Sequence, residues 1–129
     1  MKYSVVLLVI FLSYAFSVHA QNQKPQLGFD GKRIIDVGTV IQGDTIKYNF
    51  TVVNKGNEPL VIYDIGKSCN CTQASISNKI IQPAMKAKLE VVVSTDGKMG
   101  LSSINVVLKS NTPEEEHIVK LILNVVKKQ

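Results

Sequence analysis

In the run Thr45–Asn54 the chain alternates cleanly: Ile46, Tyr48, Phe50 and Val52 point one way, Lys47, Asn49 and Thr51 the other. Period two over that length predicts a half-buried strand. The same rhythm returns in Lys88–Ser94, with Leu89, Val91 and Val93 inward, and in Ser103–Lys109, with Ile104, Val106 and Leu108 inward. It returns again in Ile118–Val126, where Val119, Leu121, Leu123 and Val125 form the expected core face. Leu60–Ile65 is a further run, rich in β-branched and aromatic residues. Shorter strands are expected at Gln26–Phe29, Ile34–Val37 and Ala74–Ile76.

Turn chemistry punctuates the runs. Gly43-Asp44, Gly56-Asn57-Glu58-Pro59, Asn78-Lys79, Asp96-Gly97, Gly100 and Asn111-Thr112-Pro113 fall where the alternation stops. Short strands with such regular punctuation predict an all-β fold, an immunoglobulin-like antiparallel β-sandwich of seven to eight strands. No segment past the N-terminus carries a helical period, and there is no internal repeat.

The first twenty residues have a different character. Lys2 precedes an uncharged run from Tyr3 to Val18, and Val18-His19-Ala20 offers small or modest residues before Gln21. That is the pattern of a signal peptide over residues 1–20, cleaved between Ala20 and Gln21. The run is short of the roughly 20 apolar residues a spanning helix needs, and no Cys follows it that could carry a lipid. The expected organisation is therefore signal peptide 1–20, disordered leader 21–26 and one β-sandwich domain 27–129. The product should be exported, periplasmic or extracellular, and soluble after processing rather than membrane-embedded.

Composition narrows the function. The net charge is +5, but fourteen of the fifteen basic residues are Lys, and they are scattered. Nucleic-acid binding calls for clustered Arg and Lys with aromatics between them; scattered Lys serves solubility and protects sheet edges. With no Trp, four Phe and four Tyr, the chain lacks material for a sugar-stacking platform. His117, the one His beyond the first twenty residues, has no nucleophile motif near it and is expected to be a surface imidazole. Glu114-Glu115-Glu116 is expected as a solvated turn. No phosphate-cradling loop or His-Glu metal motif occurs, so no catalytic residue and no cofactor are expected.

Ser68-Cys69-Asn70-Cys71-Thr72 stands apart, because it holds both cysteines of the protein. In an extended strand, alternate Cα atoms lie about 6.6 Å apart, close to the disulfide limit of about 6.8 Å. A bridge therefore requires a turn at Asn70, which tolerates the left-handed conformation. Three readings stay open for Cys69 and Cys71. One is a local disulfide, structural or easily reduced. Another is a reduced pair packed as small apolar groups. The third is a copper(I) or zinc site with Met85 or Met99, which would need ligands from a partner chain.

Taken in order, Val37-Gly-Thr-Val40, Gly43-Asp44, Asn54-Lys-Gly56-Asn-Glu-Pro59-Leu60, Ser68-Cys-Asn-Cys-Thr72, Ile81-Gln-Pro83 and Ser110-Asn111 carry a resemblance. From about Phe29 to Val126 the chain resembles the bacterial family called domain of unknown function 1573. It is more distantly similar to the hydin and abnormal-spindle type of immunoglobulin-like module. The resemblance implies an immunoglobulin-like fold in an exported protein of the kind common in bacteroidete bacteria, and it supplies no biochemical role. Two departures stand out: Asn70 replaces the usual Gly between the cysteines, and Ala84 replaces the Gly of the usual Pro-Gly turn, which is expected to change that turn's type.

Function is accordingly expected to be that of an exported, non-catalytic binding or assembly module of the periplasm or cell surface, with an unidentified envelope or surface protein as partner. The alternative is a thiol-redox or soft-metal handling protein centred on Cys69 and Cys71. Asp44-Thr45-Ile46 also resembles the short O-glycosylation acceptor of exported bacteroidete proteins, which makes Thr45 a candidate modification site.

Overall fold

The computed structural model describes residues 23–129; the expected signal peptide and its cleavage position at Ala20 and Gln21 lie outside them. Nine strands follow in chain order: β1 (Leu27–Asp30), β2 (Ile34–Ile41), β3 (Thr45–Asn54), β4 (Leu60–Lys67), β5 (Thr72–Ile76), β6 (Ile80–Ile81), β7 (Lys86–Ser94), β8 (Gly100–Ser110) and β9 (Glu116–Val126). Among the described residues no helix is long and apolar enough to cross a membrane. The strands form two sheets, in the orders β1-β3-β7-β5 and β2-β9-β8-β4-β6.

Alternation explains the packing. Phe50, Val52, Leu89, Val91 and Val93 come from the first sheet, and Ile104, Val106, Leu108, Val119, Leu121, Leu123 and Val125 from the second. Together with Leu60, Ile62 and Ile81 they make one buried core. Ile46 and Tyr48, expected on the same face, lie at its margin and are partly buried. Fully burying one such side chain stabilises the fold by about 1.5–3 kcal/mol, so this interior carries most of the stability.

Two features depart from the expected antiparallel, seven-to-eight-strand sandwich. Ile80–Ile81 forms a ninth strand, paired with Val61 and Leu60; two residues are too few to show a period. β2 runs parallel to β9, while the other strand pairs are antiparallel. The hydrophobic pattern fixes which face of a strand is buried but not the direction of its neighbour. The β2–β9 ladder shifts register between Asp36 and Gly38. There Gly38 has φ +84° and donates its N–H to Asp36 Oδ1 at 2.9 Å, a glycine-enabled bulge.

The Asn-x-Gly-x-x-Pro-Leu stretch has a structural explanation. Asn54 is fully buried at the end of β3. Its Nδ2 donates to Glu58 O at 2.7 Å and Ile81 O at 2.9 Å. Its Oδ1 accepts from Gly56 N at 2.9 Å and Gln26 N at 3.4 Å. The amide thus uses all four of its hydrogen-bonding positions. Gly56 is required for a different reason: a Cβ there would lie 2.2 Å from Lys24 O and 2.6 Å from Gln26 N. Residues 24–26, expected within a disordered leader, instead run alongside this turn, with Lys55 N donating to Gln26 O at 2.8 Å and Asn57 N to Lys24 O at 3.2 Å. Asn111 clamps the other end of the stretch, accepting from Val61 N at 2.9 Å and donating to Pro59 O at 3.1 Å.

At Pro83-Ala84 the turn keeps the geometry a glycine would favour. Ala84 has φ +65°, the one positive value at a non-glycine among the described residues. Met85 N closes the turn on Gln82 O at 3.0 Å. The expected change of turn type does not occur; the alanine accepts the left-handed conformation at a cost of about 1–2 kcal/mol.

Two substitutions test these constraints. Ala84→Gly relieves the left-handed cost but adds freedom to the unfolded chain, so a net gain of about 0.5–1 kcal/mol is expected. Asn54→Ala leaves two buried carbonyls and two amides short of a partner and should lose about 2–4 kcal/mol. Urea unfolding of each variant against the parent measures both; no gain for the first, or a loss below about 1 kcal/mol for the second, contradicts the account.

Candidate functional site: the corner between β4 and β5

β4 belongs to one sheet and β5 to the other, so residues 68–71 carry the chain across the sandwich. Ser68 fixes the departure: its N–H donates to Asn105 O at 3.0 Å, and its Oγ accepts from Asn105 N at 3.0 Å. The arrival is fixed by Thr72 N donating to Cys69 O at 3.2 Å and Ser94 N to Cys71 O at 2.9 Å. Between these anchors the sulfurs of Cys69 and Cys71 are bonded, with their Cα atoms 5.1 Å apart. Turning the chain has shortened the extended spacing to one a disulfide accepts. Asn70 sits exposed at the tip, and its φ is not positive. The left-handed turn expected there is not used, and Asn replaces the usual Gly without strain.

Both cysteines are half-buried and pack against the core. Cys69 Sγ accepts the N–H of Cys71 at 3.1 Å. Cys71 Sγ lies 3.5 Å from Thr72 Oγ1, whose side chain is fully buried. No group of three or more metal-binding side chains occurs among the described residues. Met85 and Met99 are exposed in other loops.

A groove of about 310 Å³ opens between the same two strands, lined by Ile62 to Ile65 on β4 and Ala74 to Ile76 on β5, with Lys79 among its walls. β6 covers the outer edge of β4 only at Leu60 and Val61, and β5 pairs on one side only, with β7. From Tyr63 to Lys67 the outer edge of β4 therefore has no strand beside it. Exposed Tyr63 donates its hydroxyl to Glu115, and that hydrogen bond raises its pKa to about 12.

His117 overturns the expectation of a surface imidazole. It is 7% exposed, with Nε2 2.8 Å from Thr112 Oγ1, which lies 2.7 Å from Ser110 Oγ. β9 begins one step before His117, and the parity that turns Val119 and Leu121 inward turns His117 inward too. Ser110 extends the inward stripe of β8 in the same way. These three residues close one end of the core with a polar cluster that the sequence reading missed; carrying the alternation one step further would have found it. Burial pushes the His117 pKa down, Arg33 adds to the effect, and the carbonyl and charge of Glu114 oppose it. Ser110 is 1% exposed, so its hydroxyl cannot meet a substrate. Thr45 is exposed at the first position of β3, after the Gly43-Asp44 turn.

Comparison with known proteins places this geometry. The profile of a family described as proteins of unknown function, DUF1573, matches residues 27–125. No curated protein matches the chain. A protein of unknown function from Porphyromonas gingivalis W83 superposes with TM-score 0.70 at 17% identity, over 84% of this chain and 50% of that one. The ASH/PapD-like domain 7 of human CEP192 superposes with TM-score 0.65 at 9% identity, over 88% of this chain and 94% of that one. The secreted serine protease VesC from Vibrio cholerae gives TM-score 0.59 at 17% identity, over 77% of this chain and 23% of that one. The chain thus spans half of the Porphyromonas protein and about a quarter of the protease. At these identities the likenesses establish a shared immunoglobulin-like sandwich.

The buried imidazole makes stability depend on pH. Because the folded pKa of His117 lies below the ordinary 6.5, the unfolded chain binds a proton that the folded chain refuses. Its contribution is fully present above 6.5 and is lost as pH falls from there through the folded value. Unfolding free energy is expected to fall over that window, and a His117→Gln variant should show a flatter profile; identical slopes in the two proteins rule the linkage out.

Proposed function

The chain belongs to the DUF1573 family, and from that premise we propose that it is an exported, non-catalytic binding module that takes up an extended segment of an envelope or cell-surface protein in the groove between β4 and β5. The observation that carries the reading is the pair of open strand edges on either side of that groove. Unpaired main-chain N–H and C=O groups are a template for an added strand, and strand addition draws affinity from the backbone and specificity from alternate side chains. Ile65, Ala74 and Ile76 supply apolar contacts for alternate residues of the segment, and Lys79 favours a carboxylate near one of its ends. Export is supported by the charged, apolar and small-residue succession of residues 1–20. Burial of the Ser110–Thr112–His117 cluster supports a non-catalytic role.

Selection of random peptides on the purified protein tests the groove. The expected winners are extended segments with apolar residues at alternate positions; they should protect the amides of β4 and β5 from hydrogen exchange. Ala74→Arg, which places a long charged side chain in the groove, should weaken them at least tenfold, about 1.4 kcal/mol. Peptides that bind elsewhere, or that are indifferent to the substitution, defeat the proposal.

Export is tested separately by intact-mass analysis of protein from native cell envelopes. The expected product begins at Gln21, and a sugar on the Asp44–Ile46 peptide would mark Thr45 as modified. Full-length chain in the membrane fraction contradicts export with processing, and a bare peptide contradicts modification.

A further inference from the structure

Strand addition makes no use of the sulfur chemistry at the groove's corner. The two sulfurs there are not equivalent. Cys69 Sγ receives a backbone N–H, from Cys71, at 3.1 Å. Cys71 Sγ has no backbone donor and only a longer polar contact, to the Thr72 hydroxyl at 3.5 Å, and packs against the apolar core. A donor aimed at sulfur favours the ionised form of a thiol, whereas apolar surroundings disfavour it. The donor at Cys69 is main chain, and its position is set by hydrogen bonds at Ser68, Cys71 and Thr72 rather than by the sulfur–sulfur bond. A bridge across one residue closes too short a loop to contribute much stability. The corner therefore keeps its shape when the bond opens, and the N–H stays aimed at Cys69.

We propose that Cys69–Cys71 is a thiol–disulfide exchange site, with Cys69 as its reactive thiolate and a thiol or its disulfide as the co-substrate. In the reducing direction an incoming thiolate attacks Cys71 Sγ. A new sulfur–sulfur bond forms, the Sγ69–Sγ71 bond breaks, and its electron pair leaves on Cys69, where the Cys71 N–H receives it. A second thiolate then attacks the mixed disulfide and releases Cys71, which takes up a proton. Overall, two thiols become one disulfide, and the protein's disulfide becomes two thiols. In the oxidising direction Cys71 first forms the same mixed disulfide with the co-substrate, releasing one thiolate. The Cys69 thiolate then attacks Cys71 Sγ, closing the Sγ69–Sγ71 bond and expelling the second. A good leaving thiolate speeds such exchange, and at Cys69 it is provided by the fold.

Reduced protein, freed of reductant and treated with iodoacetamide near neutral pH, should be alkylated at Cys69 about tenfold faster than at Cys71, as an electropositive donor predicts. The preference should vanish in concentrated urea. Oxidised protein treated with reduced glutathione and quenched with acid should carry the adduct on Cys71; reaction with reduced thioredoxin alone would identify the co-substrate as protein-borne. Single variants give an independent reading: with Cys71→Ser, which leaves the amide in place, the remaining thiol should react faster with an aromatic disulfide than the one left by Cys69→Ser. Equal rates, a faster Cys71, a preference that survives urea, or a disulfide inert to both thiols would each overturn the proposal. These readouts do not depend on the groove, so peptide binding and exchange can fail separately.

Discussion

A single carboxamide sets the arrangement of one end of this molecule. Asn54 sits fully buried where β3 ends, and its side chain joins three segments through four residues: Gln26; Gly56 and Glu58 of one turn; and Ile81. A buried amide tolerates no half-measures, because each unmet donor or acceptor costs about 1–3 kcal/mol. The short β6 strand, the β3–β4 turn and the segment before β1 therefore assume their places together. The core behind them is apolar and forgiving of shape. The amide is directional, and it decides which loops meet.

Much of this was readable beforehand. β3 was placed to the residue, and the inward faces of β7, β8 and β9 followed from period-two counting alone, because each sheet has one wet face and one dry face. What escaped shares a cause. β6 is too short to display a period, the direction of β2 depends on a partner far along the chain, and the docking of residues 24–26 depends on the space left by Gly56. Each is a tertiary fact with no local signature. His117 is a different kind of miss. The alternation reaches it when carried one step back from Ile118, but the acidic residues beside it suggested solvent.

The corner between β4 and β5 was legible as chemistry and illegible as architecture. Two cysteines flanking one residue announced sulfur chemistry, yet the three readings could not be separated without the anchoring hydrogen bonds. Nor could the sequence show that the strands on either side belong to different sheets, or that their outer edges stay open beside a groove. The family's two departures illustrate the same limit from opposite sides. Asn70 looked tolerable as a turn former and needed no special conformation, whereas Ala84 looked unable to adopt one and does.

The parallel pairing of β2 with β9 has a consequence for how the molecule is made. Arg33, just ahead of β2, bonds to Ile118 across 85 positions of sequence. Loop closure on that scale must precede the reward of pairing, which slows the search for the native state. Until β9 is in place, β2 lacks the one strand that pairs with it among the described residues and β8 lacks one flank, so the five-stranded sheet stays incomplete. Assembly of this sheet therefore waits on β9 rather than proceeding hairpin by hairpin from the start.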